Sequence, residues 1–187
     1  EIDSQPLLES VKDMYNWRAP INARKKQIAP QGNWTNWLIL AGRGFGKTRT
    51  GAEWIRERVE NGLAKRIAII GKTPADVRDV MIEGESGIIS ISPPWNKPDY
   101  QPSRRRIIWP NGSVAHIFSS YEPDQLRGPQ FDTACCDELA SWEYIEETWD
   151  NLMFGLRLGE KPQVCITTTP RSLQLLKNIR DLENTIV

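Results

Sequence analysis

The chain has 187 residues, of which 39% are hydrophobic and 26% charged, and its formal net charge is zero at pH 7. This length and composition predict one globular domain with a sizeable core, and the neutral charge balance gives no argument for a nucleic-acid partner. No apolar run approaches the roughly 18 residues of a membrane-spanning helix, so we expect no membrane partner; the polar, acidic N-terminus predicts no signal peptide.

The cysteines and the single histidine point to structural roles. Cys135, Cys136 and Cys165 lie in apolar runs, and His116 lies in a strand-like run. These residues are too few and too scattered to predict a zinc site. The cysteines are typical of reduced core residues in a cytoplasmic protein, and His116 is expected to be structural rather than catalytic.

Short apolar runs alternate with helical patterns along the chain, which predicts an α/β fold. The predicted elements are a short helix near 7–17, a strand at 37–41, a helix at 49–61, a strand at 66–71, a helix near 75–83, a β-hairpin insertion at 104–119, a strand at 132–137, a helix at 144–156, a strand at 164–168 and a helix at 172–182, with loops at 92–103 and 120–131. Strands that are almost wholly apolar and alternate with helices predict a mostly parallel sheet with helices on both faces.

The first strand leads into a phosphate-binding loop, the mark of a P-loop NTPase. Glycines allow backbone N–H groups to surround a phosphate, and the following helix adds the partial positive charge of its N-terminus. Lys47 is predicted to contact the β- and γ-phosphates of a nucleotide and Thr48 to hold Mg2+. Ala41 stands where the usual pattern has its first glycine. The predicted nucleotide-binding residues of the loop are Gly42, Arg43, Gly44, Phe45, Gly46, Lys47, Thr48 and Arg49.

Two adjacent carboxylates, Asp137 and Glu138, follow the strand at 132–137. Asp137 is predicted to bind Mg2+, and Glu138 to orient and deprotonate the attacking water. The alternative is an ordinary strand end with solvated acids. The Asp-Glu pair indicates the branch of P-loop ATPases that contains motors and helicases.

Two further segments are candidate site elements. Thr167, Thr168 and Thr169 end the next strand, where their hydroxyls could sense hydrolysis and pass it to a moving element. Upstream, Arg24 and Gln27 lie in a basic turn, and the Gln27 amide is predicted to bind the N6/N7 edge of adenine. The alternatives are an ordinary polar strand end and a solvated turn.

Together these stretches resemble the ATPase domain of the large terminase subunit of tailed bacteriophages, the motor that packages DNA. The resemblance covers most of residues 18–180. It is carried by Ala23-Arg-Lys-Lys-Gln27, Gly32-Asn-Trp34, the phosphate-binding loop, Gly51-Ala-Glu-Trp54, Leu126-Arg-Gly128, Cys136-Asp-Glu-Leu-Ala140 and Thr167-Thr-Thr-Pro-Arg171.

The resemblance implies roles for two arginines. Arg43, inside the loop, is expected to contact the nucleotide phosphates. Arg127 lies eleven residues before Glu138 and is expected to act in trans, as an arginine finger on the γ-phosphate of a neighbouring subunit. A structural salt bridge in the loop is the alternative for Arg127. The three consecutive arginines at 104–106 are candidate contacts to DNA phosphates, and a solvated edge strand is an equal alternative.

The resemblance also implies the reaction and the partners. We expect Mg2+-dependent ATP hydrolysis by a homo-oligomeric ring on a procapsid, with the isolated domain a monomer. Double-stranded DNA, the portal protein and the small terminase subunit are the expected partners, in the host bacterial cytoplasm. Family members carry a C-terminal nuclease domain, and no acidic cluster here is left for it, so we expect one ATPase domain over 1–187 without nuclease activity.

Two other function classes compete with this interpretation. A helicase-like ATPase would use the same motifs, but it would need a second lobe of the same fold, which 187 residues cannot contain. A nucleotide-gated assembly module that scarcely hydrolyses ATP would be expected to lack Glu138 or Lys47, and both are present.

Overall fold

The structure, a computed structural model, describes residues 5–187. Its helices and strands alternate as the apolar runs predict. In chain order they are α1 Gln5–Met14, β1 Asn36–Leu40, α2 Lys47–Glu60, β2 Arg66–Gly71, α3 Pro74–Asp76, α4 Ile88–Ile91, β3 Asp99–Gln101, β4 Arg106–Ile108, β5 Val114–Ser119, β6 Thr133–Cys136, α5 Ile145–Gly155, β7 Gln163–Thr168, α6 Gln174–Arg180 and β8 Thr185–Ile186. Within residues 5–187 the strands form one eight-stranded sheet, in the order β3-β4-β5-β2-β6-β7-β1-β8.

The sheet is mostly parallel, and this geometry positions the predicted motifs. Strand β7 pairs in parallel with both β1 and β6, so it separates the two strands that precede the loop and the acids. Leu40 lies opposite Thr168, and Cys136 lies opposite Ile166. The carboxyl ends of β1, β6 and β7 therefore meet at one edge of the sheet.

Helices cover both faces of the sheet, as predicted. On one face α2 and α4 pack over a cluster that includes Trp37, Ile55 and Ile69. On the other face α5 and α6 contribute Leu152 and Ile179 to a second cluster. Among the described residues, no helix has the length and apolarity that crossing a bilayer requires.

The hairpin prediction was wrong in one respect. Strands β4 and β5 are antiparallel neighbours, but β5 also pairs in parallel with β2 over six residues, so it belongs to the main sheet rather than to an insertion. Buried Ala115 and Ile117 explain this placement, because they complete the core beside β2. The predicted loop at 92–103 contains β3, which adds an edge strand to β4.

The predicted helix near 75–83 is also different. The three-residue α3 continues as a π-helical turn, Val77–Ile82, and the chain then folds back sharply. A Cβ at Gly84 would lie 2.7 Å from the carbonyl oxygen of Asp79, and one at Gly87 would lie 2.6 Å from that of Ile82. Glycine at both positions permits this close return, which shapes one wall of the site described next.

Candidate nucleotide-binding site

The loop between β1 and α2 wraps around the side chain of Lys47. Gly44 and Gly46 have φ angles of +80° and +84°, a conformation that favours glycine. The buried Lys47 Nζ donates hydrogen bonds to the carbonyl oxygens of Ala41 at 2.9 Å and Gly42 at 3.2 Å. The same ammonium group lies 3.0 Å from the Oε1 atom of Glu138. Lys47 thus joins the loop to the end of β6.

A cleft of about 530 Å3 opens over this loop. Eight of the sixteen site residues predicted from the sequence line it, namely Gly42, Arg43, Gly44, Gly46, Lys47, Thr48, Arg49 and Glu138. The opposite wall is formed by Asp79, Val80 and the turn at 84–86, none of which was predicted. The closely spaced glycines at 84 and 87 were the available signal, since they mark a tight turn between two helical patterns.

Asp137 lies in a desolvated position at the end of β6. The Thr167 hydroxyl donates a hydrogen bond to its Oδ1 atom at 3.0 Å. Burial raises the pKa of Asp137 from 3.8 to about 6; the Thr167 hydrogen bond opposes this rise, and the neighbouring Glu138 carboxylate adds to it. A divalent cation would favour the ionised carboxylate, so the chemistry of this group fits the predicted Mg2+ site.

The rest of the predicted metal site consists of oxygen donors. Thr48 lies in the first turn of α2 and lines the cleft. Among residues 5–187, no group of three His, Cys, Asp or Glu side chains could enclose a metal ion. Mg2+ typically binds through one or two protein oxygens together with substrate phosphates and water, so the oxygens of Thr48 and Asp137 are donors of the right kind. Thr48 lines the cleft, whereas Asp137 is not among its lining residues.

Glu138 is held by several contacts in an uncommon backbone conformation. Its φ angle is +45°, in the left-handed region that side chains other than glycine rarely adopt. Its carboxylate accepts hydrogen bonds from the backbone N–H and the hydroxyl of Thr169, each at 3.1 Å. Desolvation raises the pKa of Glu138, but the hydrogen bonds from Lys47 and Thr169 outweigh it and the net pKa is lowered. Such strain is typical of functional sites.

The threonines at the end of β7 contact the acids directly. Thr167 accepts a hydrogen bond from the Glu138 N–H at 3.2 Å, and Thr168 accepts one from Ala140 N–H at 3.0 Å. With the bonds of Thr169 to the Glu138 carboxylate, all three side chains connect β7 to the segment that follows β6. This arrangement suits the predicted coupling role, which stays a prediction.

Gln27 is buried beneath the loop rather than free to face a base. Its amide nitrogen donates to the carbonyl oxygen of Phe45 at 2.9 Å, and its amide oxygen accepts from the N–H and the Nε of Arg24, each at 3.1 Å. Arg24 also donates to the Phe45 carbonyl and stacks over the Phe45 ring. The pair therefore supports the loop, and adenine binding would require the amide to exchange these partners.

The remaining arginines differ in their surroundings. Arg43 is exposed on the loop. The Nε of Arg49 donates a hydrogen bond to Glu53 at 2.8 Å, and its guanidinium stacks on the Trp17 ring. These contacts favour a structural role for Arg49 over nucleotide binding. Arg127 lies on an exposed turn and lines a different cavity from the nucleotide cleft.

The raised pKa of Asp137 predicts a pH-dependent cost to stability. A carboxyl group whose pKa is raised by folding destabilises the folded state above that pKa, and the cost disappears below the unfolded value of 3.8. Without divalent cations, we expect Asp137→Asn to stabilise the protein by about 1–3 kcal/mol at pH 8 and by little at pH 4, measured by urea denaturation. Exposed Asp150→Asn is the control, and an equal effect at both pH values would contradict the assignment.

Comparison with known proteins identifies the family. A family model described as "Terminase large subunit, T4likevirus-type, N-terminal" matches residues 38–180. No curated protein matches the chain. Among solved structures, the ATPase domain of the Thermus phage P74-26 large terminase has 17% identity and a TM-score of 0.64, over 84% of this chain and 68% of that one.

Two other solved structures have the same fold. The large terminase of a thermophilic bacteriophage in complex with ADP has 11% identity and a TM-score of 0.66, over 95% of this chain and 44% of that one. The N-terminal domain of the DNA packaging ATPase from bacteriophage phi29 has 13% identity and a TM-score of 0.59, over 81% of this chain and 88% of that one.

This chain spans 65–68% of the P74-26 chains and less than half of the ADP-bound terminase chain. At these identities the solved structures show the shared fold alone. The family model covers well over half of the chain. The chain therefore belongs to the large terminase subunit family and carries its N-terminal, T4likevirus-type domain.

Proposed function

We propose that this chain is the ATP-hydrolysing motor domain of a viral large terminase, which drives double-stranded DNA into a procapsid. The observation that carries the proposal is the 3.0 Å contact between Lys47 and Glu138 across the cleft. It places a phosphate-binding cation and a candidate general base at one point above the loop. P-loop ATPases need this pair for hydrolysis.

The residues suggest a sequence of events on nucleotide binding. A γ-phosphate at the loop would compete with Glu138 for the Lys47 ammonium group, because phosphate oxygens are strong acceptors. Glu138 would then turn from Lys47 to the attacking water while Thr169 keeps holding its carboxylate. Mg2+, held by Thr48 and Asp137, would neutralise charge on the phosphates. Arg43 would add positive charge from the exposed side of the loop.

The same bonds offer a route from hydrolysis to movement. When Asp137 binds Mg2+, the hydrogen bond that it accepts from Thr167 would change, and when Glu138 turns, the Thr169 side chain that stays bonded to its carboxylate would move with it. We propose that β7 passes this change to the parts of the full motor that hold DNA. The wall of the cleft at 79–86 lies beside the same nucleotide site, so hydrolysis would also change its contacts.

The assembly belongs to the same proposal. Arg127 is exposed and does not line its own cleft, which suits a role in trans in a homo-oligomeric ring. The portal protein, the small terminase subunit and double-stranded DNA would complete the machine, in the host bacterial cytoplasm. The isolated domain would be a monomer with feeble activity. The helicase-like alternative is not favoured, because the matching family model and the similar solved structures are those of large terminases.

Gln27 gives a test of nucleotide selectivity. If its amide exchanges the Arg24 bonds for adenine, Gln27→Ala should weaken ATP binding by about 1–3 kcal/mol and GTP binding much less. Titration with both nucleotides measures this difference, with exposed Gln174→Ala as the control. Equal losses of affinity for ATP and GTP would mean that Gln27 only stabilises the loop through its hydrogen bond to Phe45.

A further inference from the structure

A groove lined by basic side chains lies on the sheet beside β5. Its lining includes Lys65, Arg66, Arg106 and His116, and the loop at 129–131 closes one side. The groove encloses about 460 Å3. We call it the basic groove. It is separate from the nucleotide cleft, because Arg66 begins β2 whereas the phosphate-binding loop follows the opposite, carboxyl ends of the parallel strands.

The strand register brings the basic side chains to one face. Arg106 lies opposite His116 in the β4–β5 pair, so the two side chains project to the same side. Arg66 shares its side of β2 with Ala68, and Ala68 lies opposite His116 in the β2–β5 pair. Three strands therefore place Arg66, His116 and Arg106 next to one another.

The basic side chains of the groove form no ion pairs among the described residues, although one carboxylate lies near: the Oδ2 atom of Asp132 accepts hydrogen bonds from the backbone N–H groups of Lys65 and Arg66, each at 2.9 Å. Across residues 5–187, no ion pair involves Lys65, Arg66 or Arg106, and no Asp or Glu lines the groove. The Nε of Arg106 donates to Gln101 at 2.8 Å, which orients the guanidinium and leaves its outer N–H groups available. The pKa of His116 is lowered by burial and then by the charges of Arg106 and Arg66, because nearby positive charge disfavours the protonated imidazole.

We propose that the basic groove binds the phosphodiester backbone of DNA, an inference that rests on the proposed packaging function. A local cluster of Lys and Arg on a neutral chain is the electrostatic footprint of phosphate contacts. Arg66 and Arg106 lie on strands separated by β5, so their backbones are at least two strand spacings apart, roughly 10 Å. The two arginines can therefore contact different phosphates of one duplex.

The three arginines at 104–106 differ in whether they line the groove. Arg106 lines the groove, whereas Arg105 is paired with Glu122 at 3.0 Å and Arg104 is exposed at the end of a short 3-10 turn. The DNA contact expected for all three arginines is thus assigned to Arg106 alone. It acts together with Arg66, the first residue of β2, and with Lys65, which precedes that strand.

The test measures binding of a fluorescent duplex of mixed sequence by anisotropy, without nucleotide, at about 50 to 200 mM salt. Arg66→Gln and Arg106→Gln should each weaken binding by about 3- to 10-fold and reduce the slope of log affinity against log salt by about 0.9. Exposed Arg180→Gln, which removes the same charge from a pair with Asp181, is the control and should change neither quantity. His116→Arg should strengthen binding, because it adds a charge at the centre of the groove.

Several outcomes would overturn the proposal. They are a wild-type chain that does not bind the duplex, groove variants that bind like Arg180→Gln, or groove variants that keep DNA affinity but lose self-association. The last would mean that an acidic protein surface occupies the groove. Melting temperatures check that each variant folds. ATP turnover without DNA should be unchanged in Arg66→Gln and Arg106→Gln, and the binding measurement stands even if the chain does not hydrolyse ATP.

Discussion

Replacing Glu138 with glutamine is expected to abolish ATP hydrolysis while nucleotide binding persists. The amide cannot accept a proton from water, and a positioned general base contributes about 10^2- to 10^4-fold to the rate. Glutamine preserves an oxygen that can accept the Thr169 bonds, so the segment should stay in place. Loss of the Lys47 contact leaves that ammonium group available to phosphate. Phosphate release and nucleotide affinity, measured on the same preparation, separate the two effects.

Exposed Glu146→Gln on α5 is the matched control for this substitution. It makes the same chemical change on the surface and should leave both turnover and affinity intact. A Glu138→Gln protein that released phosphate at the wild-type rate would place the general base elsewhere. The carboxylates in the opposite wall, Asp79 and Glu85, would then be the next candidates.

Removal of the Arg127 side chain should have the second large effect, and only in an assembly. Its guanidinium lies 3.0 Å from Asp124 and 3.3 Å from Glu147, in pairs on the exposed surface. Exposed pairs contribute about 0–1 kcal/mol, so a neighbour's γ-phosphate could readily replace them. In an assembled ring Arg127→Ala should lower turnover by about 10^3- to 10^5-fold. The dilute isolated domain should change little.

Complementation distinguishes a role in trans from a role in cis. A mixture of Arg127→Ala chains and Glu138→Gln chains should recover some activity, because at a shared interface each supplies the group that the other lacks. Turnover of wild-type chains should also rise with protein concentration. Normal hydrolysis by Arg127→Ala in an assembled ring, or full activity of the dilute wild-type domain, would assign Arg127 to its loop salt bridges. Arg43 would then be the remaining arginine for the γ-phosphate.

The parts of the fold that were predictable are those encoded locally. An apolar run, glycines and a Gly-Lys-Thr step specify β1, the loop and the start of α2 with little help from the rest of the chain. The sequence also predicted that the acids after β6 and the threonines of β7 lie beside the loop, because the carboxyl ends of parallel strands share an edge. The contacts of Lys47 with Glu138 and of Thr167 with Asp137 are at that edge. The family match and the solved folds confirmed the P-loop architecture that these motifs predict.

The parts that escaped prediction depend on distant packing. Nothing local to 75–83 distinguishes a regular helix from a π-helical turn, which arises where the chain folds back at Gly84. The strand order that joins β5 to β2 decides whether a hairpin is an insertion or part of the sheet. The basic groove depends on the same order, since it assembles Arg66 and Arg106 from positions forty residues apart. The burial of Gln27 under the loop likewise required the folded arrangement.

Nucleotide binding by the wild-type chain and by Lys47→Ala tests the central claim most directly. The contacts of the Lys47 ammonium group are with two loop carbonyls and Glu138, so the substitution should loosen the loop while the domain stays folded, as melting would show. With Mg2+ present, titration of a fluorescent ATP analogue should show saturable binding by the wild-type chain and at least a 100-fold loss (about 2.7 kcal/mol) in Lys47→Ala. A folded wild-type chain that binds no ATP, or a Lys47→Ala chain with unchanged affinity, would contradict the account.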